Sequence, residues 1–62
     1  MASEHELWAF ALWVEEHHGD AGLEYIAEQV GRLATEGDLE GVAMWRKVAD
    51  RFDLLKAQST PS

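Results

Sequence analysis

The chain has 62 residues, no cysteine and one proline, and 47% of its residues are hydrophobic. This length predicts one small domain, and the absence of cysteine excludes disulfides and is typical of a reducing compartment, so we expect a cytoplasmic protein. The formal net charge of −7 disfavours nucleic acid and anionic membranes as partners, because like charges repel.

The first predicted helix covers residues 4–18. Ser3 and Glu6 form a capping-box pair, in which the Ser3 hydroxyl accepts a hydrogen bond from the Glu6 amide. Gly19 is well suited to end this helix, because glycine tolerates positive φ. The apolar run at residues 7–14 is too short to span a membrane and follows acidic residues, which is unlike a signal peptide. We therefore predict neither a membrane span nor a leader.

The second predicted helix covers residues 21–36, with Asp20 as its cap. Its apolar residues recur at the spacing of an amphipathic helix and predict one buried stripe. That stripe consists of Leu23, Ile26, Ala27, Val30, Leu33 and Ala34. Gly31 costs about 1 kcal/mol relative to alanine inside a helix, so we expect a packing reason, such as close approach of the first helix.

The third predicted helix covers residues 39–57. Gly37 ends the second helix and Asp38 caps the third, which leaves room for a tight antiparallel turn. Gly41, in the first turn, is also expected to have a packing reason. Residues 58–62 contain Pro61 and no periodicity, and we expect a flexible tail. The predicted stripe of the third helix is Val42, Trp45, Val48, Ala49, Phe52 and Leu55.

Together these elements predict an all-α fold, a small three-helix bundle within a single domain at residues 1–57. The middle of the first helix is apolar on all sides, and two partner helices cannot cover all of these sides. Its main face holds Leu7, Phe10, Ala11 and Val14, whereas its other sides hold Trp8, Leu12 and Trp13.

The second apolar face of the first helix suggests a protein interface formed by Trp8, Leu12 and Trp13. We expect a small helical interaction module that forms a homodimer or docks on a partner protein. In the alternative interpretation, the wide tryptophan rings fold over the edges of the hairpin, which leaves scattered apolar atoms exposed.

A nucleic-acid-associated regulator is an alternative function. Ile26, Ala27, Val30 and Gly31 imitate the start of a helix-turn-helix motif, but the turn comes too late and acidic residues open the next helix. A local basic patch could still form from Arg32, Arg46, Lys47 and Arg51.

A metal-binding bundle is a further alternative. Glu15 and His18 have the i, i+3 spacing of ligands in dimetal bundles, and His17 lies near Asp20. These residues supply less than one complete site, and they also suit a polar helix end. We therefore predict no metal, no cofactor and no catalytic residue, because the sequence has no nucleophile motif or phosphate-binding loop either.

Parts of the sequence resemble two known protein families. Residues 37–49 resemble the turn and second helix of one tetratricopeptide hairpin. Over residues 8–55 the chain is similar to a family of small uncharacterised alphaproteobacterial proteins of unknown function, which implies a small helical protein. The shared residues are Trp8-Ala9, His18-Gly19-Asp20, Ile26-Ala27-Glu28, Leu33-Ala34, Gly37-Asp38, Gly41-Val42, Trp45 and Val48-Ala49.

Overall fold

The computed structural model describes residues 3–59. They form three α-helices, with a short 3-10 turn at Gly19–Ala21 between the first two: α1 at Glu4–His18, α2 at Gly22–Glu36 and α3 at Leu39–Ser59. The described part of the chain contains no strand, so the predicted small all-α fold is confirmed. Helix α3 ends two residues later than predicted, and residues 60–62 of the predicted tail lie outside the described residues.

None of the helices within residues 3–59 has the length and hydropathy that a membrane span needs.

Backbone capping explains where α1 begins and ends. The Ser3 hydroxyl accepts a hydrogen bond from the Glu6 amide at 3.2 Å and lies 3.3 Å from the Glu6 carboxylate, to which it donates. Gly19 ends the helix with φ +51°, a conformation that side chains rarely adopt. Both boundaries agree with the prediction.

The junction between α2 and α3 also follows the prediction. Gly37 has φ +80°, its amide donates to the Ala34 carbonyl at 3.1 Å, and the Asp38 amide donates to the Leu33 carbonyl at 2.9 Å. These two bonds form a Schellman ending. The Asp38 carboxylate then accepts from the Gly41 amide at 2.9 Å, which caps α3.

The predicted cap of α2 is wrong. The 3-10 turn places Ala21 at the capping position of α2, and no side chain makes the capping bond. Asp20 therefore lies one residue too early to reach the first amides of α2. Its carboxylate instead accepts a hydrogen bond from the Lys56 ammonium at 3.3 Å.

The hydrophobic core lies where α3 packs against both other helices, which contact each other less. Leu7, Ala11 and Val14 of α1 are buried, as predicted, whereas Phe10 is 37% exposed at the edge of the same face. The rest of this core cluster consists of Ile26, Val48 and Phe52, and Leu33 is also buried. Val48 and Phe52 confirm the centre of the predicted α3 stripe.

Helix α2 is rotated relative to its predicted stripe. Ile26 and Leu33 are buried, but Leu23 is 49% exposed, and Ala27 and Ala34 are exposed as well. Gly22 explains the rotation, because it packs so closely on α3 that an added Cβ would lie 2.3 Å from the Phe52 ring. A prediction from the spacing of apolar side chains does not identify a glycine as a core position.

The two glycines for which a packing reason was predicted, Gly31 and Gly41, differ in their surroundings. A Cβ at Gly41 would lie 2.8 Å from the Asp38 carboxylate and 3.1 Å from the Leu33 side chain, which confirms a packing reason. A Cβ at Gly31 would meet nothing within 4 Å. The predicted approach of the first helix at Gly31 is therefore wrong.

Candidate functional site

All three helices line a groove of about 440 Å³ that is open on one side. Helix α1 contributes Phe10 and Trp13, α2 contributes Tyr25, and α3 contributes Trp45. Ala9 and Glu6 complete the lining, which is mostly apolar. We call this surface the aromatic groove.

The four rings of the aromatic groove form a continuous row. The ring centres lie 6.0 Å apart for Phe10 and Trp45, 5.9 Å for Trp45 and Tyr25, and 5.9 Å for Tyr25 and Trp13. The planes of Tyr25 and Trp45 meet edge to face at 73°, which is a favoured geometry of aromatic pairs, and the other two pairs are tilted by 47° and 49°. Phe10 is 37% exposed and Trp13 43% exposed, so the row presents ring surface to solvent.

Two histidines extend this row at the C-terminal end of α1. His17 stacks on Trp13 with ring centres 4.4 Å apart, and His18 stacks on Tyr25 at 4.0 Å. The Nδ1 of His17 donates to the Trp13 carbonyl at 2.9 Å, since a carbonyl oxygen only accepts. These contacts hold Trp13 and Tyr25 in place while part of the Trp13 ring remains accessible.

An acidic groove adjoins the aromatic groove. The two share Glu6 and Phe10, and the acidic groove is also lined by Asp38, Glu40 and Lys47. Three carboxylates therefore face one ammonium along this part of the surface. The combined surface favours a partner that is apolar and positively charged.

On another side of α1, ion pairs join it to α3; we call this region the ion-pair seam. Arg51 forms a two-bond pair with the Glu4 carboxylate, and its Nη2 lies 2.6 Å from one oxygen. The Arg51 guanidinium holds the pKa of Glu4 below its usual value, and Glu4 raises the pKa of Arg51.

Lys56 forms the second part of the ion-pair seam. Its ammonium lies 3.3 Å from the Asp20 carboxylate and 3.4 Å from that of Glu15. Hydrogen bonds to Asp20 and Glu15 raise the pKa of Lys56. This contact joins the C-terminal part of α3 to α1 and the 3-10 turn.

The structure distributes the three predicted interface residues over two surfaces. Leu12 is 47% exposed, and Trp8 is half-buried, where its side chain helps to lower the pKa of Glu4. Trp13 lines the aromatic groove, which neither Trp8 nor Leu12 lines.

Sequence reasoning missed Phe10, Tyr25 and Trp45 as site residues. The available signal was the spacing of Phe10, Trp13 and His17, which puts three rings along one side of α1.

Two of the four residues of the predicted basic patch are bonded within the chain. Arg32 donates to the Glu36 carboxylate at 3.2 Å and to the Gln29 amide oxygen at 2.9 Å. Arg51 is paired with Glu4. These bonds offset the charge that the patch would offer to phosphate.

The candidate metal ligands also have other contacts. Glu15 and Asp20 both face Lys56, whereas His17 and His18 stack on aromatic rings. Within residues 3–59, no group of three or more such side chains is arranged to hold a metal ion.

Comparison with protein families gives a match over residues 3–60 to a model described as "Family of unknown function (DUF6961)". The chain belongs to this family. The resemblance to an uncharacterised family is thus confirmed. Comparison with curated proteins and with solved structures gives no significant match.

Proposed function

We propose that this chain is a small helical protein-interaction module without catalytic activity of its own, acting in the cytoplasm. The observation that supports it best is the aromatic groove, where four rings from three helices stay partly exposed. Aromatic side chains are enriched at protein interfaces, because they bury a large area at a small cost in side-chain entropy.

Helix α1 supplies a second element of the proposal. Leu12 is 47% exposed and Trp8 is half-buried, both outside the aromatic groove. Burial of an apolar side chain contributes roughly 1.5 to 3 kcal/mol, so two such residues from each of two copies offset part of the cost of association. We propose a symmetric homodimer through this side of α1, which leaves the aromatic groove open for a partner protein.

Sedimentation at micromolar concentration tests the self-association. We expect the mass of a dimer for the unchanged chain and the mass of a monomer for Leu12→Glu. Leu39→Glu is the matched control, because Leu39 is 75% exposed at the start of α3. A monomer at every concentration, or equal masses for the two variants, would contradict the homodimer.

A regulator that binds nucleic acid stays the alternative prediction, through Arg46 and Lys47 together with the bonded Arg32 and Arg51. A gel-shift assay at low salt separates the two functions. We expect no shift at micromolar protein, and a shift that Arg46→Gln abolishes would favour the alternative.

A further inference from the structure

We propose that the aromatic groove binds the guanidinium group of an arginine side chain from a partner protein. This inference rests on the proposed interaction function and specifies the chemistry of the partner. The occupant is a segment that bears arginine beside apolar residues. Three features of the groove support this occupant: the ring surface, the charge around it and the shape of the opening.

The ring surface suits a cation. Aromatic faces carry negative electrostatic potential, and a cation within about 6 Å of a ring centre is attracted to it. Trp13, Tyr25 and Trp45 belong to one row whose neighbouring centres are 5.9 Å apart. A group bound among these rings is expected to lie close to more than one of them, at ring surface that the stacked His17 and His18 do not cover. Tryptophan and tyrosine are the stronger partners in such contacts.

The charge around the rings points to the same occupant. Among the described residues, Glu6 is the one charged side chain that lines the groove. Asp38 and Glu40 follow in the adjoining acidic groove. Residues 1–30, which supply α1 and the first half of α2, contain seven acidic residues and no lysine or arginine. A cationic segment is attracted to this surface, whereas an acidic one is repelled.

Three of the chain's five cations are bonded to carboxylates outside the aromatic groove, whereas Lys47 lines the acidic groove and offsets part of its charge. Arg32 is bonded to Glu36 on α2, and Arg51 to Glu4 in the ion-pair seam. Lys56 lies between Glu15 and Asp20. These three positive charges are held by carboxylates that do not line the aromatic groove.

The shape of the groove favours arginine over an alkylated ammonium ion. A quaternary ammonium ion gains most from a cage that encloses it, whereas this groove is open on one side. A guanidinium group is planar, weakly hydrated and able to stack on a ring while it donates two hydrogen bonds to a carboxylate. Glu6 at the groove supplies that carboxylate.

The test compares two short peptides that differ in charge alone. Both are acetylated, amidated and of the sequence Gly-Leu-X-Gly, with X either arginine or its uncharged analogue citrulline. Amide chemical shifts follow each titration. We expect the arginine peptide to bind about tenfold more tightly, because citrulline keeps the shape and loses the cation.

Variants of the protein locate the binding. Glu6→Gln preserves the helix start, since glutamine also serves in a capping box, and should weaken the arginine peptide at least about threefold. Asp53→Asn removes the same charge from an exposed position outside the groove and should have little effect. Trp13→Leu should weaken binding more than Trp8→Leu, which is the control because Trp8 lies outside the groove.

Each other outcome overturns the inference. Equal affinities for the two peptides would show apolar docking without recognition of a cation, while the interaction function stands. Equal losses in Glu6→Gln and Asp53→Asn would show attraction to net charge instead of a site. Binding of neither peptide would remove the groove as an arginine site, while the sedimentation experiment, which uses no peptide, decides the proposed self-association separately.

Discussion

The core and the aromatic groove use apolar residues in opposite ways. The core joins Leu7, Ala11 and Val14 to Val48 and Phe52, and these side chains are at most 4% exposed. All six aromatic residues lie within residues 3–59, and one of them, Phe52, is fully buried. The other five keep part of their surface in solvent.

This contrast matters because a small domain has a small hydrophobic core, and its stability depends on how much apolar surface it buries. A chain of this size buries about 60% of the surface that its unfolded form exposes, so partly exposed aromatic rings forgo stabilisation. Four of these partly exposed rings lie together in one groove instead of being scattered over the surface. We infer that the core provides most of the stability and that the groove serves binding.

Replacing Phe52 should have the largest effect. Phe52→Ala removes the largest fully buried side chain and should cost about 3 to 5 kcal/mol, enough to unfold much of the population. Trp13→Leu, in the groove, should cost less than half as much, since Trp13 is 43% exposed. Chemical denaturation followed by circular dichroism measures both. Equal losses would show that the groove is part of the core.

A substitution at Gly22, where α2 packs on α3, should have the next largest effect on stability. Gly22→Ala places a Cβ 2.3 Å from the Phe52 ring and should destabilise by about 1 to 3 kcal/mol. Gly31→Ala is the matched control, with nothing within 4 Å of the new atom, and should stabilise by about 0.5 to 1 kcal/mol. Thermal melts show whether each substitution raises or lowers the melting temperature. A stabilised Gly22→Ala variant would contradict the close packing.

Replacing the two aspartates at the helix junctions should have different effects on stability, because Asp38 caps a helix and Asp20 does not. Asp38→Ala loses the bond to the Gly41 amide and should cost about 1 kcal/mol. Asp20→Ala should leave the melting temperature nearly unchanged, because the Asp20 side chain is fully exposed and caps no helix. A larger loss for Asp20→Ala would show that the 3-10 turn is placed wrongly.

The smallest effect is expected from Glu4 in the ion-pair seam. Arg51 lowers the pKa of Glu4 below its ordinary value of 4.5. The stabilisation is therefore complete above that value and is lost as the pH falls through the lowered pKa. The melting temperatures of the unchanged chain and of Glu4→Gln should differ by no more than a few degrees at neutral pH, and the difference should vanish in acid. A difference that is independent of pH would contradict the ion pair.

Local signals in the sequence predicted the fold well. Ser3, Gly19, Gly37 and Asp38 mark helix ends through bonds to neighbouring backbone atoms, and such bonds depend on nearby residues alone. The buried face of α1 followed from spacing. These features need no knowledge of how the helices pack.

The rotation of α2 and the composition of the groove could not be predicted in the same way. Gly22 is buried because Phe52, thirty positions later, packs on its backbone. Tyr25 meets Trp13 and Trp45 because of that rotation, so the row of rings depends on tertiary packing. The sequence indicated an excess of apolar surface on α1, but it did not indicate which residues of the other helices would pack beside that surface.

The indole N–H signals of the three tryptophans report whether an arginine side chain binds in the aromatic groove. Trp13 and Trp45 line the aromatic groove, whereas Trp8 lies outside it, so the chain contains its own control. In a nitrogen-15 correlation spectrum, titration with the arginine peptide should shift the signals of Trp13 and Trp45 and leave that of Trp8 in place. A shift of Trp8 with Trp13 and Trp45 unmoved would contradict the claim and place the binding surface on the Leu12 side of α1.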